Sequence, residues 1–275
     1  MKLAVSNIAW NAEETPAVLE RLAAAGVDGV EIAPTKIWPG WAGASPAAAA
    51  AERARLDAHG LRVPALQAIL FDRPELQLFG DAAAVAALCD HVARTAALAA
   101  GLGAAVLVFG SPRHRDPGEL APAPARRRAA EVLRRLGDGC AAHGVTLVVE
   151  AVPAAYGCTF VTRWEEAAAL VEEIDHPAVR CHLDTACTHM AGDDPVAAAA
   201  ALGDRLAYVH VAEPGHGGFE RPLVDHRAVG EALRRAGYRG WLGLEIRRAD
   251  DAVDPAERLG HAVAHVRAAY DLAGR

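Results

Sequence analysis

Short apolar runs recur along the chain at Leu3–Ile8, Val27–Ile32, Val63–Ile69, Ala104–Phe109, Val145–Val149, Val179–Leu183, Leu206–Val211 and Trp241–Ile246. They are nearly continuous in aliphatic residues rather than alternating with polar ones, which predicts strands buried on both faces of a parallel sheet. Between them lie helical stretches with clear punctuation. Thr15-Pro16, Ser45-Pro46, Asp194-Pro195 and Asp254-Pro255 each place a capping oxygen before a proline suited to the first helical turn. Thr162-Arg163-Trp164-Glu165 reads as a capping box, and Gly26, Gly60, Gly101, Gly144 and Gly237 stand where helices should end. Eight strands alternating with eight helices predict one domain over 1–275, a closed (β/α)8 TIM barrel. The same alternation could build an open doubly wound sheet, but no GxGxxG follows the first strand. The alanine tracts Ala47–Ala51 and Ala197–Ala201 follow cap-and-proline starts and read as outer helices. Ser111–Pro124, rich in proline and charge, reads as the longest loop and should overhang the rim at the strand ends.

Composition narrows the function classes. The chain has 275 residues, enough for one such barrel, and a formal charge of −7. That balance argues against sequence-independent nucleic-acid binding, which needs excess Lys and Arg. The five cysteines, Cys89, Cys140, Cys158, Cys181 and Cys187, are odd in number and show no CxxC spacing, as expected of reduced thiols. MKLAVSNIAW starts directly into a strand with no signal-peptide pattern, and no apolar run reads as a membrane span, so the expectation is a cytoplasmic protein without a membrane partner.

The chemistry sits at the strand ends. Glu150, Asp184, His210 and Glu245 close the runs GVTLVVE, VRCHLD, RLAYVH and GWLGLE. Successive members lie roughly thirty residues apart, room for a loop, a helix and a return strand. Parallel strands joined in this way bring their ends to one rim. Three carboxylates clustered with an imidazole would repel one another without a cation, and together they form a hard donor set for a divalent ion. The pattern implies a metal enzyme.

With these motifs, the chain resembles the sugar phosphate isomerase/epimerase family, which has a xylose isomerase-like TIM barrel and includes ketose 3-epimerases, hydroxypyruvate isomerase and inosose dehydratase. The resemblance runs through SNIAW, GVEIAPTKIWP, PALQAILF, VLVFGSPRHR, VVEAVPAAYGCTFV, RCHLDTA, YVHVAEPG and GWLGLEIR. It implies one divalent metal ion, manganese first and Mg, Co, Zn or Fe as the other choices, held by Glu150, Asp184, His210 and Glu245. It also implies a small sugar-like substrate, Glu150 and Glu245 as the acid/base pair on opposite faces of the reacting carbon, and a homodimer or homotetramer. A chelated cation stabilises the enediolate formed when a proton leaves the carbon beside a carbonyl, which supports the same roles on chemical grounds.

Around that set the chain departs from the ketose epimerase pattern. Cys187 stands where a substrate-touching histidine is usual, with His189 two residues on; His216 replaces an arginine, and Ala155, before Tyr156, replaces a glutamate. Further substrate-binding candidates are Glu31, Gln67, Trp10, Arg113 and Arg247. Glu31 could equally pair with a base such as Lys36. Trp10, Trp38 and Trp41 could stack on a sugar or pack between loops. Arg113, His114 and Arg115 could hold an anion or be solvated. His182 reads as a hydrogen-bonded interior histidine rather than a fifth ligand, and Glu213 as a support of the rim. Rival readings are dehydration of a keto-cyclitol, a non-catalytic sugar-binding barrel, and an endonuclease at abasic DNA sites, against which the negative charge weighs. The altered grip predicts poor activity on free ketohexoses and a bulkier, derivatised sugar or cyclitol as substrate.

Overall fold

The computed structural model describes residues 1–248 and 255–272. All eight apolar runs contribute strands: β1 Lys2–Ser6, β2 Gly29–Glu31, β3 Ala65–Leu66, β4 Val106–Phe109, β5 Thr146–Val149, β6 Val179–Asp184, β7 Leu206–Ala212 and β8 Trp241–Glu245. They form one parallel sheet in the order β2-β1-β8-β7-β6-β5-β4-β3. The ends meet at a thin seam. Bridges join Gly29 to Arg62 and Ile32 to Leu66, and the Gln67 amide donates to the Ile32 carbonyl at 2.9 Å. The strands thus make a nearly closed barrel, as the alternation predicts.

The outer ring contains α1 Thr15–Ala24, α2 Pro46–Asp57, α3 Ala82–Leu102, α4 Pro122–Ala141, α5 Trp164–Ile174, α6 Thr185–Met190, α7 Pro195–Leu202, α8 His226–Arg235 and α9 Pro255–Ala269. The connection after β6 thus carries two helices where one was expected. Ser45 and Asp194 cap α2 and α7 through the amides of Ala48 and Val196. Other punctuation is displaced by a residue or two. Thr15 lies inside α1 and bonds Trp10, Glu166 rather than Glu165 closes the box before α5, and Gly101 is interior to α3, which Gly103 ends at φ +78°. The Asp254-Pro255 cap falls outside the described residues. The loop after β4 is not the longest, because Leu66 to Ala82 spans more chain than Phe109 to Pro122.

α3 is long and apolar enough to cross a membrane by length and composition, contrary to the sequence expectation. It has another use for its apolar face. Leu88, Val92, Ala96 and Ala99 are buried in the core, while Asp90 and Arg94 are exposed. This is an amphipathic ring helix of a barrel.

Strand side chains alternate between two environments, and the alternation creates the site. Leu107, Phe109, Leu147 and Val149 join the large core between strands and helices, whereas Ala65, Val106, Val108, Val148 and Tyr208 pack together inside the barrel. Continuing the inward set toward the strand ends gives Ser6, Glu31, Gln67, Glu150, His182, Asp184, His210 and Glu245. An aliphatic floor therefore carries a polar layer at the rim.

Candidate metal centre and active site

Asp184 is the last residue of β6 and caps α6, its Oδ1 accepting from the Cys187 amide at 2.6 Å. That bond turns Oδ2 away from the helix, where it is buried without a hydrogen-bond partner. His210 Nδ1, also buried and unpartnered, lies 3.6 Å from Asp184 Oδ2 and 3.4 Å from Glu245 Oε2. The other ring nitrogen of His210 donates to Glu31 Oε1 at 2.9 Å, so that in the neutral ring Nδ1 keeps its lone pair for a cation. Gln67 Nε2 donates to Glu31 Oε2 at 3.0 Å and to Ser6 Oγ at 2.7 Å. Ser6, Gln67 and Glu31 thus brace the imidazole, and Glu31 does not pair with Lys36.

Donor atoms of Asp184, His210 and Glu245 lie within 4.8 Å of one another, as do those of Glu150, Asp184 and Cys187, and those of Glu150, His182 and His210. Two orphaned buried atoms aimed at one another, with carboxylates on either side, fit a divalent cation that takes oxygen and nitrogen ligands.

The electrostatics express the same crowding. Burial, then the charge of Asp184, pushes the Glu150 carboxyl up to about 8. Burial also pushes Asp184 and Glu245 upward, but His210, with the Cys187 amide at Asp184 and His216 at Glu245, outweighs it and holds both below the usual carboxylate range. His210 is drawn down by burial, yet Glu31, Glu245 and Asp184 hold it well above an ordinary histidine. Its carboxylate neighbours favour positive charge at this point, whether from a proton or a cation.

A cavity of about 270 Å³ opens over the cluster, lined by Gln67, Tyr156, Cys187 and His216 together with Glu150, His210 and Glu245. His216 Nδ1 lies 3.3 Å from Glu245 Oε2, and its ring stacks on Tyr156 at 5.9 Å between centroids. The approach of the Glu245 carboxylate raises His216 to about 9 against the effect of burial. Ala68, Ser111 and His216, all non-glycine residues at positive φ, line or border this cavity, so backbone strain collects at the mouth.

Other candidates lie elsewhere. Trp10 is 2% exposed, packs in the core and lines a separate cavity beside α1. Trp38 is also buried, and Trp41 bridges loops by donating to the Phe71 carbonyl at 2.9 Å. Arg113, His189, Arg247 and Ala155 are exposed and are not among the lining residues. His182 is buried edge-on to His210 with neither ring nitrogen hydrogen-bonded, contrary to the expected bonded histidine. Glu213 accepts from the amides of Leu223 and Val224 and pairs with His226 at 2.8 Å, tying back the loop that carries His216.

Three contributors escaped sequence reasoning. Arg115 is neither solvated nor free for an anion: it is 1% exposed and donates to the carbonyls of Glu150 and Val161 at 2.7 and 3.4 Å. Gly110 leaves the space that Glu150 occupies, since a Cβ there would lie 2.1 Å from Glu150 Oε2. Gly243 does the same for its neighbours on β7, a Cβ meeting Tyr208 Oη at 2.8 Å and His210 Cδ2 at 3.1 Å. Glycine immediately after a strand was the available signal for Gly110.

Comparison with known proteins agrees with this architecture. The family model described as xylose isomerase-like TIM barrel matches residues 19–269. An L-ribulose 3-epimerase of Methylomonas sp. (strain DH-1) is 32% identical over 138 residues, 49% of this chain and 48% of that protein, so the match spans about half the length of this curated relative. A solved L-ribulose 3-epimerase superposes with a TM-score of 0.82 at 21% identity, covering 99% of this chain and 95% of that one. The 3-keto-D-glucoside 4-epimerase of E. coli gives a TM-score of 0.76 at 20% identity, with coverage of 98% and 99%. At such identities the two solved structures demonstrate a common fold.

Proposed function

Because this chain belongs to the xylose isomerase-like TIM barrel family, we propose that it is a divalent-metal-dependent sugar epimerase or isomerase that moves a proton on a carbon next to a carbonyl. The observation that carries this reading is the clustered donor set, Asp184, His210 and Glu245 within 4.8 Å of one another, with Asp184 Oδ2 and His210 Nδ1 buried and unpartnered. Glu150 completes the set. When bound, a divalent cation supplies Lewis-acid stabilisation of the charge that develops on the substrate oxygens as the proton leaves.

The remaining chemistry belongs to the chain. Glu150 and Glu245 follow from β5 and β8, separated around the barrel by β6 and β7, so they approach the cavity from different sides. One, ionised, removes the proton and keeps it, and the other, protonated beforehand, delivers its own proton to the carbon from the other side; the two then exchange with solvent to reset the pair. Proton transfer of this kind contributes about 10²–10⁴-fold. Glu31 fixes the His210 ring, Arg115 holds the Glu150 backbone, and His216 orients Glu245.

The substrate we propose is a derivatised sugar or a cyclitol rather than a free ketohexose. Cys187 is small, and His216 is occupied by Glu245 and Tyr156, so neither supplies the hydroxyl contacts of the residues they replace. The 3-keto-D-glucoside 4-epimerase is named for a derivatised sugar of this kind, and the L-ribulose 3-epimerase for a simple ketose, the alternative the test must separate.

The test is solvent deuterium exchange by the manganese-loaded protein across free ketohexoses, their phosphates, keto-glycosides and keto-cyclitols. Deuterium should enter beside the carbonyl, fastest in a bulkier member, and Glu150→Gln and Glu245→Gln should lose turnover. Absence of exchange with every member would overturn the reaction, while preference for a free ketohexose would overturn the substrate class.

A further inference from the structure

Cys187 stands where the family resemblance places a histidine, and its surroundings give it a role. Its amide makes the bond to Asp184 Oδ1, so the side chain is not needed for the cap. The thiol lines the cavity and is 5% exposed. Its sulfur, a Glu150 oxygen and an Asp184 oxygen all lie within 4.8 Å of one another. Independently, Asp184 Oδ2 and His210 Nδ1 are buried with no partner, so the carboxylate that neighbours the thiol also offers an unsatisfied oxygen to a cation. The other thiols have different surroundings: Cys140 and Cys181 are in the packed core, Cys158 bonds the Phe160 carbonyl, and Cys89 lies on α3.

We propose that Cys187 is a metal ligand, adding one soft donor to the oxygen and nitrogen set so that the centre favours a thiophilic divalent cation of the zinc class over manganese or magnesium. The inference rests on the metal centre proposed above and concerns which ion that centre prefers. Thiolate donors select zinc-like ions, whereas carboxylates alone suit magnesium and manganese. Two triads share Asp184, one with His210 and Glu245, the other with Glu150 and Cys187. A hard ion is satisfied by the oxygen and nitrogen donors of the two, Glu150 included, and leaves the sulfur unused. A thiophilic ion gains a bond by reaching the sulfur as well, where the S–H bond gives way to a sulfur–metal bond and the proton leaves to solvent.

Cobalt(II) tests this without any activity measurement. The full chain loaded with cobalt should show a near-ultraviolet sulfur-to-cobalt charge-transfer band, and Cys187→Ser and Cys187→Ala should bind cobalt without it. In competition, Cys187→Ser should lower zinc affinity relative to manganese by about tenfold or more, the scale that even supporting residues of metal sites command. Cobalt bound to the unmodified protein without the band overturns the role of Cys187 while leaving the metal centre intact, as does a band that persists in Cys187→Ala. Failure to take up cobalt at all overturns the metal centre as well.

Discussion

Replacing Gly110 by alanine should disable the site while leaving the barrel standing. The backbone of Gly110 lies outside the left-handed region, so a side chain there brings no φ strain. Its Cβ would instead lie 2.1 Å from Glu150 Oε2 and 3.2 Å from Glu150 Cδ, where contacts under 3.0 Å are essentially never seen. Glu150 cannot retreat through its backbone, because its amide donates to Phe109 at 3.2 Å and its carbonyl accepts from Arg115 at 2.7 Å. The carboxylate must therefore swing aside by roughly 1 Å, a displacement that costs the proton-transfer role proposed for Glu150 on the order of 10²-fold. That corresponds to about 2.7 kcal/mol of transition-state stabilisation. We expect kcat/KM at saturating metal to fall by that factor in Gly110→Ala. As a control, Gly260→Ala on α9, where an added Cβ meets nothing within 4 Å, should leave kcat/KM unchanged. Wild-type kcat/KM in Gly110→Ala would refute the argument, and so would unfolding, since the backbone conformation suits alanine.

Two further outcomes follow from the buried polar layer and its surroundings. Glu31→Gln removes the carboxylate that orients His210, and metal affinity measured by competition with a chelator should fall by about 10–100-fold with the fold intact; unchanged affinity would leave Glu31 without this role. His91 has an ordinary value of 6.5, which burial lowers in the folded protein, and it donates to the Ile69 carbonyl while Arg73 faces its other nitrogen. The unfolded chain thus binds a proton near pH 6.5 that the folded chain refuses, so this contribution to stability is complete above that value and erodes as pH falls below it. His91→Gln should flatten the decline of Tm between pH 7 and 5 relative to wild type, and an equally steep decline in both would contradict it.

What could be read in advance divides along physical lines. Continuous aliphatic runs identified the eight strands because burial on both faces leaves a local signature, and the strand-end positions of Glu150, Asp184, His210 and Glu245 follow from the parity of each strand. The chain reads Val63–Ile69 as a strand, but its ladder ends at Leu66. Positive φ at Ala68 turns the backbone away at once, and no local pattern announces that turn. Arg115 was misjudged for a related reason: its charge suits the surface, and only partners distant in sequence, the carbonyls of Glu150 and Val161, bury it. Of the two readings open for Trp10, packing is the one the fold takes. Gly110 offered only its place directly after a strand, because its role is an empty volume that becomes visible once Glu150 is placed.

The two oxygens of Asp184 answer to different masters. One holds the first turn of α6, and the other faces the cavity toward His210. A lineage drifting away from the proposed chemistry could not shed the residue gradually: substitution by a side chain without an oxygen would loosen a helix start, about 1 kcal/mol by the usual cost of a lost cap, at the moment it removed the proposed ligand. Asparagine would preserve the cap while still withdrawing the negative charge. On the metal chemistry proposed here, the inheritance of fold and of function is linked at this position, so an asparagine here in a descendant would record abandoned chemistry on a scaffold still under selection to fold.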